Sequence, residues 1–177
     1  MTSDTLWLLV VLVAVWAGVM DWRYRRIPNW LTVTGAVAGL VVNTVLTGWT
    51  GTRTSLLGMG LGLLLLFPFV MLRAIGAGDW KLIGMLGAFL GPSRLLTVLA
   101  GSILVAGVMA MVLIIVRGRV RETLRNIVHM LGALLSFRMP PREVSLDNPD
   151  SAKVPFGVAV AVTAILLGAG HLWGRLA

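Results

Sequence analysis

The sequence predicts an all-α, polytopic membrane protein with six transmembrane helices and one amphipathic helix on the cytoplasmic surface. Hydrophobic residues make up 58% of the 177 residues and charged residues only 12%, about half the charged share of a soluble domain. Apolar runs long enough to cross a bilayer recur along the chain. Basic residues cluster between alternate runs. We therefore expect one membrane-embedded domain over residues 1–177.

Six apolar runs of roughly the length needed to cross a bilayer define the spans. They cover residues 5–20, 30–48, 55–73, 80–92, 95–116 and 154–173. The fourth is short and stops near Gly91-Pro92. Without this span, the loops rich in basic residues would no longer all lie on one side of the membrane. We therefore count it as a span.

The basic residues predict the orientation. One set of loops holds twelve of them: Arg23, Arg25, Arg26, Arg73, Lys81, Arg117, Arg119, Arg121, Arg125, Arg138, Arg142 and Lys153. The other set holds three: Arg53, Arg94 and Arg175. The positive-inside rule makes the first set cytoplasmic and places both termini on the non-cytoplasmic side. The residues before the first span lack the basic region of a secretory signal, and no small-residue cleavage site follows, so we expect this span to be retained.

Residues 119–153 connect the last two spans on the cytoplasmic side. Between Arg119 and Phe137 one helical face is apolar: Val120, Leu124, Ile127, Val128, Leu131, Leu134 and Leu135. This pattern predicts a helix lying on membrane lipid. The segment from Arg138 to Lys153 is polar and rich in turn residues, which indicates a loop.

Several classes of protein are excluded or disfavoured by composition. The absence of cysteine removes thiol nucleophiles and cysteine-ligated zinc. The net charge of +8 is explained by topology, so no nucleic-acid partner is expected. His129 and His171 fall on opposite sides of the membrane and cannot share a metal. We expect no metal and no cofactor. Small-residue spacings favour close helix packing within one subunit over a homo-oligomer contact.

Two of the seven acidic residues mark a candidate site. Asp4 lies at the outer end of the first span, and four others belong to the long cytoplasmic loop: Glu122, Glu143, Asp147 and Asp150. The remaining two, Asp21 and Asp79, close the first span and follow the third, so both lie at the cytoplasmic boundary. Ionisable groups in such positions are costly and typical of functional sites.

A pair of carboxyl groups in hydrogen-bonding range shares one proton over a range of pH. The ionised partner can take a proton from water as that water attacks a peptide carbonyl, and the neutral partner can donate to the carbonyl oxygen. This chemistry is that of aspartyl proteases. Gly76 and Gly78 allow another backbone to approach Asp79 closely, which suits an extended substrate.

Residues around the two aspartates have structural interpretations as well. Lys81 either tunes Asp79 by its charge or anchors the helix at the membrane surface, and the sequence leaves both open. Arg23, Arg25 and Arg26 are interpreted first as topology determinants, with a role at the border of the site left open. Pro28 and Asn29 are predicted to start the second helix, with Asn29 capping its exposed amides.

These residues resemble the type IV prepilin peptidases, the G-x-G-D membrane aspartyl proteases. The resemblance rests on Gly76-Ala77-Gly78-Asp79 with Lys81, on Asp21, and on Arg26-Ile27-Pro28-Asn29. Val154-Pro155-Phe156-Gly157 is similar to the family's Pro-aromatic-Gly segment at the start of the last span, which implies that Pro155, Phe156 and Gly157 help to shape the site.

The resemblance implies a cytoplasmic-membrane endopeptidase that removes the basic leader of prepilin-like precursors, with Asp21 and Asp79 as the catalytic pair. Larger members carry an amino-terminal cytoplasmic domain associated with methylation. Asp21 comes too early for that domain, so we expect no methyltransferase activity. The small form is most similar to the peptidases of tight-adherence (Flp) pilus systems. Two alternatives are a non-catalytic pilus assembly factor and an ion-coupled transporter subunit; the latter is disfavoured because both acids lie at one boundary rather than near the midplane.

Overall fold

The described part of the computed structural model comprises residues 3–118, 120–136 and 154–176. Over these ranges every regular element is an α-helix, which confirms the predicted all-α class. The helices are α1 (Ser3–Tyr24), α2 (Asn29–Thr47), α3 (Trp49–Met71), α4 (Ala77–Val116), α5 (Val120–Leu135) and α6 (Phe156–Leu176). The predicted loop from Arg138 to Lys153 lies outside the described residues.

Five of these helices are long and apolar enough to cross a membrane, namely α1, α2, α3, α4 and α6. The chain is therefore a multi-pass membrane protein. The sequence predicted six spans, and the difference lies in α4. This single element of 40 residues contains both the fourth and the fifth predicted spans.

The helix α4 is interrupted at Gly91. Its backbone there has φ 70° and ψ 178°, values outside the helical region and accessible mainly to glycine. A straight helix would separate residues 79 and 106 by about 40 Å, yet both line one cavity. The chain therefore changes direction at Gly91, and residues 77–90 and 92–116 form two segments that lie side by side.

The break leaves backbone carbonyls that other helices satisfy. Pro92 has no N–H, so the Ala88 carbonyl loses its partner within the helix. It accepts hydrogen bonds from Asn43 Nδ2 at 2.8 Å and from Ser55 Oγ at 2.7 Å. Asn43 Nδ2 also donates to the Phe89 carbonyl at 3.0 Å. Because a bare carbonyl in hydrocarbon is costly, these bonds stabilise the turn.

The first segment of α4 occupies the centre of the bundle. Residues 82–91 are all buried, and α4 packs against α1, α2, α3 and α6. Gly58 of α3 and Gly87 of α4 meet so closely that a Cβ at either would overlap the other's backbone. The predicted small-residue packing thus holds here. Gly60 of α3 makes no such contact within the subunit, since a Cβ there would meet nothing within 4 Å.

The helix α5 covers most of the predicted amphipathic segment. Its side chains Leu124, Ile127 and Val128 are 59%, 49% and 67% exposed, and the helix makes few contacts with α4. Exposed apolar side chains such as these three are what a helix on a lipid surface presents. Its position on the membrane surface stays a prediction.

Candidate active site

Both predicted aspartates line one cavity of about 450 Å³. The cavity lies between the end of α1, the α3–α4 loop, the second segment of α4 and the start of α6. Its lining residues are Asp21, Arg25, Ala74, Ile75, Gly76, Asp79, Ala106, Val154, Pro155 and Phe156. Two carboxyl groups that are remote in sequence therefore face a common space.

Asp21 lies on the last turn of α1 and is only 8% exposed. Its Oδ2 accepts a hydrogen bond of 2.8 Å from the backbone N–H of Gly157, in the first turn of α6. A Cβ at residue 157 would lie 2.9 Å from the Cβ of Asp21 and 3.1 Å from Oδ2. The close approach of α6 thus requires a glycine, and the helix N-terminus favours a negative charge beside it.

Asp79 is the third residue of α4, and Gly76 is the N-cap of that helix. The backbone amide of Gly76 hydrogen-bonds the Asp79 carboxylate. This is the half of a capping box in which an acidic side chain reaches back to the cap amide. A Cβ at residue 76 would lie 3.2 Å from Asp79 Oδ2. The first glycine of Gly76-Ala77-Gly78-Asp79 therefore keeps the carboxylate accessible.

The two carboxylates are close enough for their charges to interact. Each accepts one backbone N–H and keeps further lone pairs for water or substrate. Arg25, which follows Asp21 by one turn, also acts electrostatically on Asp21. Two carboxyl groups that face one cavity can act as general base and general acid on a ligand bound there.

The other predicted site residues divide into two groups. Pro155 and Phe156 line the cavity. Gly78 does not line it and packs against Ile27 instead, at 3.3 Å from a Cβ built on the glycine. Lys81 is also absent from the lining, and its Nζ donates to Asn29 Oδ1 at 2.9 Å.

The predicted capping role of Asn29 is wrong. Pro28 occupies the N-cap position of α2, and no side chain caps that helix. Asn29 is the first helical residue, and its side-chain oxygen accepts the Lys81 bond instead. A cap requires the polar side chain one position earlier.

Ala74, Ile75, Ala106 and Val154 line the cavity and were not predicted. Ala106 is the most distant of them in sequence from either aspartate. The signal that could have found it is the Gly91-Pro92 pair, which reverses the chain and returns the second segment to the depth of Asp79. Ile75 and Val154 each adjoin a predicted residue, and Ala74 lies two residues before Gly76. Their apolar side chains carry no chemical pattern that sequence inspection detects.

Metal-binding residues are sparse within the described ranges. Those ranges contain no group of three or more His, Cys, Asp or Glu side chains that could hold an ion. His171 Nε2 lies 3.3 Å from Asp4 Oδ1 at the opposite end of α1. The cavity residues able to interact with a ligand by charge are thus Asp21, Asp79 and Arg25.

Comparison with known proteins identifies the family. The type IV leader peptidase family matches residues 8–111, more than half of the chain. The chain belongs to this family. No curated protein and no solved structure matches it.

Membership in the type IV leader peptidase family makes the protein a peptidase, and hence a hydrolase. The matched range contains both aspartates and the Gly76–Asp79 motif. It ends within the second segment of α4, so α6 and its Pro155-Phe156-Gly157 segment lie outside it. The structure nonetheless brings Gly157 onto Asp21. The candidate site is therefore built from the matched range together with α6.

Proposed function

We propose that the protein is a membrane aspartyl endopeptidase that cleaves the basic leader peptide of type IV prepilin-like precursors at the cytoplasmic membrane face. The observation that carries this proposal is the placement of Asp21 and Asp79 on one cavity, with their charges interacting. Family membership supports the peptidase class. The pilus system most similar by sequence is the tight-adherence (Flp) type.

In the proposed reaction Asp21 and Asp79 share one proton and hold a water molecule between them. The ionised carboxylate takes a proton from the water as its oxygen attacks the scissile carbonyl carbon. The protonated carboxyl group donates to the carbonyl oxygen. Collapse of the tetrahedral intermediate breaks the C–N bond, and a proton passes to the leaving amine. One water is consumed, and the acid–base pair returns to its starting state.

The membrane arrangement that fits this site has six crossings. The two segments of α4 would form the fourth and fifth, with the Gly91 turn on the non-cytoplasmic side. Both termini then lie on that side of the cytoplasmic membrane, and the cavity faces the cytoplasm. The distribution of basic residues supports this orientation, as does the common depth of the two aspartates.

The first prediction concerns the two aspartates themselves. We expect Asp21→Asn and Asp79→Asn each to lower leader cleavage by at least about a thousandfold, since the amide keeps the shape and removes the proton transfer. Purified protein is incubated with a pilin-like precursor, and the products are identified by mass spectrometry. Asp4→Asn is the matched control, since it makes the same change at the far end of α1.

Processing at the wild-type rate by the Asp79→Asn variant would contradict the aspartyl mechanism. If the wild-type protein binds the precursor but leaves it intact, the result favours a non-catalytic assembly factor. Proton or ion flux through proteoliposomes that depends on Asp79 would instead favour a transporter subunit.

A further inference from the structure

The loop between α1 and α2, residues 25–28, lies on the first turn of α4. Ile27 in this loop is only 8% exposed. A Cβ built on Gly78 would lie 3.3 Å from the Cβ of Ile27 and 3.5 Å from its backbone nitrogen. A Cβ at position 78 would therefore crowd the loop at Ile27. The second glycine of the motif thus permits direct contact between loop and helix.

A second contact joins α4 to the residue that directly follows this loop. Lys81 Nζ donates a hydrogen bond of 2.9 Å to Asn29 Oδ1, at the first residue of α2. The loop is also tied back to α1, because the Arg25 N–H donates to the Asp21 carbonyl at 2.9 Å. We name the Ile27–Gly78 contact and the Asn29–Lys81 bond together the loop clamp.

The residues of the loop clamp lie close in sequence to both aspartates. Its α4 members, Gly78 and Lys81, lie one residue before and two residues after Asp79. Its other members, Ile27 of the loop and Asn29 of α2, follow Asp21 by six and eight residues. A shift of the loop relative to α4 would therefore change the distance between the two carboxylates.

We propose that Asn29 and Lys81 are positioning residues that set the separation of Asp21 and Asp79. This inference rests on the proposed function, since it assigns the bond a role in that reaction. The alternative role for Lys81 is that of a counter-ion to Asp79. The structure favours positioning, because the ammonium group bonds Asn29 and the residue is absent from the cavity lining.

The two roles differ in what Asn29 should do. In the positioning role Asn29 and Lys81 act as one unit, so removing either side chain abolishes the same bond. Their effects on catalysis are then non-additive, which a double-mutant cycle measures directly. In the counter-ion role the charge of Lys81 acts alone, and Asn29 is dispensable.

The test compares Asn29→Leu, Lys81→Met, the double variant and Asn29→Asp in the precursor cleavage assay. We expect each of the first two to lower kcat about tenfold through misplaced carboxylates, with KM changed by less than about twofold. The double variant should be no slower than either single one. Asn29→Asp keeps an acceptor for the ammonium group and should retain wild-type kcat. Arg53→Met, on the opposite side of the bundle, is the control for loss of a basic side chain.

Three results would overturn the inference. The first is a lower kcat in Lys81→Met with an unchanged kcat in Asn29→Leu. The second is a double variant whose loss of kcat equals the product of the two single losses. The third is a lowered unfolding temperature in detergent with unchanged kcat, which would make the bond purely structural.

Failure of the proposed function itself gives a different signature, namely an uncut precursor with the wild-type protein. The coupling between Asn29 and Lys81 is then still tested by the unfolding temperatures of the same variants, which need no substrate. Decreases in unfolding temperature that are non-additive between Asn29→Leu and Lys81→Met support the coupling between the two elements. Additive losses contradict it.

Discussion

Gly157 is the residue at which α6 meets the carboxylate of Asp21. The 2.8 Å bond from its N–H exists because nothing but hydrogen occupies the Cβ position. A methyl group there would lie 2.9 Å from the Asp21 Cβ, well inside the usual contact distance of carbon atoms. Either α6 moves away or the aspartate rotates, and in both cases the hydrogen bond is lost.

We therefore expect Gly157→Ala to lower kcat for leader cleavage by about tenfold or more, since small displacements of a catalytic group are costly. The matched control is Gly170→Ala on the same helix, where a Cβ would meet nothing within 4 Å. Cleavage rates and unfolding temperatures are measured for both variants. Equal rates for Gly157→Ala and wild-type protein would show that this bond has no part in catalysis.

Sequence reasoning at the residue scale found Asp21 and Asp79 because so few acidic residues remain once the loop and terminus are set aside. It did not find the Asn29–Lys81 bond. Both residues had plausible roles within their own helices, as cap and as anchor, and local patterns do not encode which helices become neighbours. Polar side chains are assigned to partners only by the tertiary packing.

Among the helices, α4 depends most on its neighbours, because its interruption at Gly91 exposes backbone carbonyls. Asn43 and Ser55 both donate to the Ala88 carbonyl, which Pro92 has deprived of its helical partner. Ser102 provides a contrast, since it is equally buried but donates to Val98 in its own helix. That carbonyl belongs to an uninterrupted part of the helix.

Removing both donors with Asn43→Leu and Ser55→Ala should lower the free energy of unfolding by about 1–3 kcal/mol, the cost of a buried unsatisfied group. Ser102→Ala should cost clearly less, because no carbonyl is left without a partner. Chemical unfolding in mixed micelles measures both. A similar cost for the two changes would argue that the Ala88 carbonyl finds another donor.

Helix boundaries were predicted well where hydropathy changes sharply and less well elsewhere. The span predicted at 30–48 corresponds to α2, Asn29–Thr47. The span predicted at 55–73 begins earlier, since α3 starts at Trp49. Its first turns contain threonines that bond to carbonyls of the preceding turn, such as Thr54 to Thr50 at 2.8 Å. Such residues are helical but not apolar, so a hydropathy count omits them.

For the molecule as a whole, the direction change at Gly91 leads us to expect that the two segments of α4 cross the membrane separately. The chain contains no cysteine, so every introduced thiol is unique. We expect Thr50→Cys and Ser93→Cys to react with a membrane-impermeant maleimide on intact spheroplasts, and Arg26→Cys only after permeabilisation. This pattern results if the two segments of α4 cross separately. Protection of Ser93→Cys together with labelling of Thr50→Cys would contradict it.

The sequence predicted the class of the molecule, a helical bundle in lipid, from composition and basic loops alone. It predicted that two aspartates share a depth, because two crossings separate them. The identity of the cavity walls could not be predicted, since Ala106 and Val154 reach the site through packing of α4 and α6. Apolar side chains in a membrane all favour the same environment, so sequence alone does not rank their contacts.

The hydrogen bond from Gly157 to Asp21 joins α1 to α6. During synthesis, the ribosome adds Asp21 to the chain 136 residues before it adds the amide donor. A nascent chain that has inserted α1 to α4 already carries both carboxyl groups but lacks the wall and the donor that α6 supplies. We therefore expect peptidase activity to arise only once α6 has been inserted beside α1.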